Sequence, residues 1–165
     1  MRKWFAACLL ICMTSVSSAQ ELALRDVFRQ VPDSLMPSLS VNNRLDFIDF
    51  MDSNMRAVVR NSFGGMSEMT ILADDSLSVR MSDALRIDIM LLTLDEPIDT
   101  IRQVVVFAES FLTDSVYGES CVKYYTPNWQ PIYQSIPWSE IQQQRIERIL
   151  LQNILKWDAD KLNKS

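Results

Sequence analysis

Asp46, Asp49 and Asp52 stand at every third position of one apolar-periodic stretch, the densest row of chemistry-bearing side chains in the chain. Neighbouring carboxylates could hold a hard cation or pass a proton between them. A helix turns by about 100° per residue, however, so the row drifts round its axis. Calcium asks for about six to eight oxygens converging from a loop, which a straight helix cannot supply. The row therefore reads as a solvated acidic face, with Arg56 four residues after Asp52 and placed to pair with it. Asp74-Asp75 and Asp95-Glu96 fall in expected turns, where Asp is favoured for its local hydrogen bonds.

Cys121 shares a strand face with Lys123, but a catalytic thiol needs a base, usually His, and the chain has no His. Cys121 is read as a small buried hydrophobe, with an intermolecular disulfide as the alternative. The missing His also removes the commonest transition-metal ligand and every Ser-His-Asp or Cys-His site. A Ser-Lys hydrolase stays open on residue types alone, although neither a Ser-x-x-Lys nor a Gly-x-Ser-x-Gly is picked out. With only 3 Gly there is no material for a glycine-rich phosphate cradle. Tyr124, Tyr125, Trp129, Tyr133 and Trp138 crowd a stretch punctuated by Pro127, Pro131 and Pro137. It reads as core or as cover for a sheet edge, against the alternative of a carbohydrate or peptide platform. No catalytic, cofactor-binding or metal-ligating residue is nominated, and no cofactor is expected.

The first nineteen residues read as an address. Arg2 and Lys3 are followed by an apolar run from Trp4 to Met13, too short to span a bilayer, and then by Ser17-Ser18-Ala19 as an A-x-A-like cleavage site. Residues 1–19 are expected to be a signal peptide cut after Ala19, leaving 20–165 as one domain. Its loss leaves 14 basic against 21 acidic side chains, and Cys121 as the sole thiol, so no intrachain disulfide is possible. The acidic balance argues against nucleic acid as a partner. No further apolar run approaches about eighteen residues, so no transmembrane span is expected in the mature chain. At 48% hydrophobic and 22% charged residues, the 165-residue chain has globular composition. A domain of this size buries roughly two-thirds of its unfolded surface and needs no metal or disulfide to fold.

The elements that position these residues follow from periodicity. Leu24, Val27, Phe28 and Val31 predict a helix ended by Pro32, and a short turn carries Leu35 and Met36. Asn42 or Asn43 is expected to cap a third helical stretch with its stripe at Leu45, Ile48, Met51 or Met55, and Val58 or Val59, widened by Phe47 and Phe50 and ended at Gly64-Gly65. The period then changes to two. Three-residue loops at 74–76 and 82–84 would pair Ala73 with Leu77 and Met81 with Leu85, keeping Leu77, Val79, Met81, Leu85, Ile87 and Ile89 on one buried face. The opposite face is expected to be wet. Residues 101–112 predict a strand covered on both sides through Val104–Phe107, and 120–126 a fifth strand. Ser139, with Gln142 three residues on, caps a last helix striped by Ile146, Ile149, Leu150, Asn153-Ile154 and Trp157. The expected fold is α+β: an antiparallel meander of about five strands, N-terminal helices, and a C-terminal helix packed on the apolar face.

The block Val31-Pro32-Asp33-Ser34-Leu35-Met36-Pro37, the stretch from Asn42 to Met55, Gly64-Gly65 and Asp74-Asp75 together resemble an uncharacterised family of secreted proteins from Gram-negative gut anaerobes, classed as a domain of unknown function. The likeness covers most of the mature chain. It implies export and an α+β fold, and it brings no activity, ligand or site residue. The leading expectation is a non-enzymatic protein of the periplasm or cell envelope that binds another macromolecule. The alternative is a small-ligand carrier with a cavity between helices and sheet, to which Met residues would lend plasticity. An enzyme working with carboxylates alone is the third class.

Overall fold

The computed structural model describes residues 22–113 and 116–162, with 112–113, 116–118 and 152–162 as backbone only. The expected leader, residues 1–19, and the side chains of Asn153, Ile154 and Trp157 lie outside the described residues. Leu24, Val27 and Phe28 bury one side of the short helix α1 (Leu24–Arg29). Helix α2 (Val41–Asp52) begins two or three residues earlier than a cap at Asn42 or Asn43 would have it, because Ser40 is its cap. The Ser40 hydroxyl accepts from the Asn43 N–H at 3.1 Å while the Asn43 side chain accepts from the Ser40 N–H at 3.1 Å. Its buried side is Arg44, Phe47 and Ile48, whereas Leu45, expected in the stripe, is exposed.

The helix stops well short of Gly64. Asn54 takes a left-handed φ of 53° just past the Ser53 cap, a conformation in which helices end. The β-branched Val58 and Val59 are then free to form strand β1 (Ala57–Arg60). Gly64-Gly65 lies in the hairpin that follows, where Gly64 has φ 86° and the Asn61 side-chain oxygen accepts from Phe63 and Gly65 N–H at 3.1 and 3.0 Å. Strands β2 (Met66–Leu72), β3 (Ser76–Arg80), β4 (Leu85–Ile98), β5 (Ile101–Thr113) and β6 (Val116–Tyr125) continue the meander, and helix α3 (Glu140–Leu162) closes the chain. The sheet has six strands in the order β1-β2-β3-β4-β5-β6, one more than expected, and the addition is β1.

Across the β3–β4 loop the register is as expected: the Met81 N–H donates to the Leu85 carbonyl at 2.9 Å over Ser82-Asp83-Ala84. The β2–β3 turn is shorter. The Ala73 N–H donates to the Ser76 carbonyl at 2.8 Å, so Asp74-Asp75 alone form the loop and Leu72, not Ala73, stands opposite Leu77. By itself that would carry Met69 to the wrong face. A bulge between Met69 and Ile71 inserts one residue and returns Met69 to the position opposite Val79.

Leu77, Val79, Met81, Ile87, Ile89, Leu91, Val105 and Phe107 form the main core with α1, α2, Met36 and Leu39. Met90, Leu92 and Val106 alternate onto the other face, where Ile146, Ile149 and Leu150 of α3 pack. α3 thus lies opposite the N-terminal helices and covers part of the face expected to be wet, as the doubly apolar run Val104–Phe107 demands. Further along this second face the buried side chains are polar. Arg86 donates to Asp88 from Nε at 3.1 Å and Nη2 at 2.8 Å and to the Ser78 hydroxyl at 2.9 Å, and Ser110 and Ser120 share a 2.8 Å hydrogen bond.

The aromatic segment is mostly interior. Tyr125 and Trp129 meet Phe107 edge-on, and the Trp129 indole N–H donates to the Val27 carbonyl at 2.9 Å. Tyr124 and Trp138 pack on the α3 side, and the Ile132 N–H donates to the Tyr124 carbonyl at 2.9 Å, covering one end of the β6 edge. Tyr133 alone of the five is almost fully exposed.

Candidate functional site

The β2–β3 turn, the far end of β4, the start of β5 and the first turns of α3 meet round a cleft of about 300 Å³. Its frame is held by side chains bonded to backbone. Ser139 caps α3 as expected: its N–H donates to Gln142 Oε1 at 3.1 Å and its hydroxyl accepts from the Gln142 N–H at 3.4 Å. The same Gln142 donates from Nε2 to the Thr93 carbonyl at 2.8 Å, so one amide both caps α3 and ties it to β4. Arg145, nearly one turn on, pairs with Asp75. The Asp75 carbonyl accepts from the Leu91 N–H at 2.9 Å, which fixes the turn against β4. On β5, Gln103 accepts from the Leu22 N–H at 2.9 Å and donates to the Leu22 carbonyl at 3.2 Å, holding that residue as a neighbouring strand would. Leu91 and Leu92 supply the buried apolar lining, while Leu22, Asp74, Thr93 and Arg145 are open to solvent. Two carboxylates, one guanidinium, two amides and a hydroxyl suit recognition by charge and hydrogen bonding.

The other residues singled out from sequence are scattered. Asp46, Asp49 and Asp52 are all exposed on α2, and Asp52 pairs with Arg25 of α1, not with Arg56. Arg56 turns instead to Glu68, at 2.7 Å from Nε and 3.2 Å from Nη2. Asp95 and Glu96 are not in a turn: β4 runs on to Ile98, and the reversal comes at Asp99, with φ 53°. Cys121 is exposed, not buried, because the core face continues past Phe107 into Glu109 and the half-exposed Phe111. The spacing Ser120-Cys121-Val122-Lys123 is a Ser-x-x-Lys that sequence reasoning passed over. On a strand, residues three apart point to opposite faces. Ser120 accordingly meets Ser110, and Lys123 meets Glu109 at 2.7 Å, so the two do not converge. Among the described residues, no three His, Cys, Asp or Glu side chains gather as a metal would require, and no helix is long and apolar enough to cross a membrane.

Two groups near this strand carry a pH dependence. The hydrogen bond to Glu109 holds the Lys123 ammonium above its ordinary pKa, and burial pushes the Tyr125 phenol up. Both contributions to stability are complete below the unfolded values, about 10 for each, and are lost as pH rises through the folded ones. The melting temperature should therefore hold between about pH 8 and 9.5 and fall above about pH 10. Tyr125→Phe should make the alkaline fall shallower, and an unchanged slope would show that the phenol is not desolvated.

The sequence from 14 to 164 matches the family described as protein of unknown function (DUF3256). Among solved structures, the chain is similar to a domain of an uncharacterized protein from Porphyromonas gingivalis W83, with a TM-score of 0.55 and 19% identity. The match covers 71% of this chain and 57% of that one, so this chain spans little more than half of the solved chain. At that identity the likeness is one of fold alone. No curated protein matches.

Proposed function

Since the chain belongs to the DUF3256 family of proteins of unknown function, we propose from its own geometry that it is an exported, non-enzymatic binding module of the cell envelope, whose macromolecular partner places one polar group in the cleft beside α3. The observation that carries this reading is the cleft's frame: Gln142 and Arg145 tie α3 to β4 and to the β2–β3 turn, and Gln103 ties β5 to Leu22, all round one opening. Such ties, two amides on backbone and one ion pair, hold a recognition surface in shape before a partner arrives. The lining residues at the mouth are solvent-exposed, so a group attached to a larger molecule can enter. Export rests on Arg2, Lys3, the apolar run and Ser17-Ser18-Ala19. The cleft's volume, at the lower end of small-molecule sites, favours a small-ligand carrier as the second reading.

A photo-crosslinking residue at Thr93, in the full chain expressed in its own host, should capture a macromolecule, whereas one at the exposed Asn42 on α2 should not. Capture from Asn42 and none from Thr93 would move the working surface away from the cleft. Capture from neither, with a small molecule co-purifying, would leave the carrier reading in its place.

A further inference from the structure

We infer that the group received by the cleft is a primary alkyl ammonium; this rests on the cleft being the binding site. Among the described residues, its charged lining is Asp74, Asp75 and Arg145. Arg145 is already paired with Asp75, so one carboxylate charge in the lining is left over, in a chain whose formal net charge is −5. Such a field concentrates cations. An anionic ligand would share Arg145 with Asp75 and stand beside Asp74, so the lining would hold more negative charge than its one guanidinium balances. An ammonium adds to Asp74 and displaces nothing.

The two amides belong to the frame. Gln103 has both ends engaged on Leu22, and Gln142 has both engaged, on Ser139 and Thr93. Each spends one of its two N–H bonds in the frame and keeps the other, so the amides can add a polar contact without deciding the sign of the ligand's charge. Beside the carboxylates, the exposed Leu22 gives an apolar surface along which an aliphatic stem can lie. Among the described residues, no aromatic ring lines the cleft. Quaternary ammonium groups are recognised by aromatic faces, so a donor-bearing primary amine is preferred to its trimethylated form. The shared chemistry is that of a lysine side chain on a partner polypeptide and of a free diamine.

The test is a titration of the ¹⁵N-labelled chain, followed by NMR, with four probes: Nα-acetyl-lysine amide, its trimethylated form, 1,5-diaminopentane and Nα-acetyl-glutamate amide. The two primary amines should shift the backbone amides of Asp75, Leu91 and Thr93 saturably, and the trimethylated probe should do so more weakly. Asp74→Asn should weaken the primary amines by about tenfold, the loss of one charge-assisted contact. Asp83→Asn, on the β3–β4 turn at the other end of the sheet, should leave them unchanged. Tighter binding of the lysine amide assigns a peptide source, and tighter binding of diaminopentane a free diamine. If the glutamate probe shifts these amides and the amines do not, the inference fails while the cleft reading stands. If no probe shifts them, both fall.

Discussion

Asp88→Ala should destabilise the protein by about 3–5 kcal/mol, because it strands a buried guanidinium. Asp88 is 1% exposed and Arg86 5% exposed, and Arg86 meets one Asp88 oxygen with two of its nitrogens. Ser78 accepts a third hydrogen bond but carries no charge. The pair itself contributes little net stability, since removing two ions from water nearly offsets their attraction. What is costly is to keep one without the other. Arg86→Met combined with Asp88→Leu should accordingly recover most of the loss. Urea unfolding of the two variants beside the parent measures this. A single-variant loss below about 1 kcal/mol would mean that water reaches the pair in solution.

Phe107→Ala should cost about 3–5 kcal/mol, whereas Phe111→Ala, on the same strand and face, should stay within about 0.5 kcal/mol of the parent. Phe107 is fully buried, with Tyr125 and Trp129 edge-on at 6.2 and 6.1 Å; Phe111 is 46% exposed. The contrast locates the limit of the cover given by α1 and α2. Equal losses at the two positions would mean that something else buries Phe111 in solution.

That limit is also where sequence reading ran out. Alternation places Cys121 and Phe111 on the core face correctly, but it carries no record of how far the helices on that face extend. The β3–β4 hairpin was legible because a three-residue loop and unbroken alternation allow one register. At β2–β3, a two-residue loop followed by a bulge brings Met69 and Val79 to the same face as a three-residue loop without one, so the pattern of apolar residues does not separate them. α2 ended early through the backbone of Asn54, while the apolar pattern ran on into Val58 and Val59. The doubly apolar centre of β5 announced cover on both sides, yet periodicity does not say which helix takes which face. The cleft was the least legible feature. Asp74 and Asp75 were recognised as a turn, and the capping role of Gln142 was read correctly. The reach of Gln142 to Thr93 and of Gln103 to Leu22 depends on residues 49 and 81 positions apart in the chain.

The strict meander has a kinetic consequence. Every strand pairs only with its sequence neighbours, so each pairing closes a short loop, and folding rate rises as contacts become more local. The long β4–β5 hairpin, turning at Asp99, can assemble before anything distant has arrived. The bond from Trp129 to the Val27 carbonyl joins residues 102 apart, and it can form only after the intervening sheet has brought the two ends of the chain together. A chain that crosses a membrane unfolded and emerges amino end first would hold α1 waiting for the strands. The indole that seals the main core would bond once all six strands had emerged, and the packing of α3 would follow it.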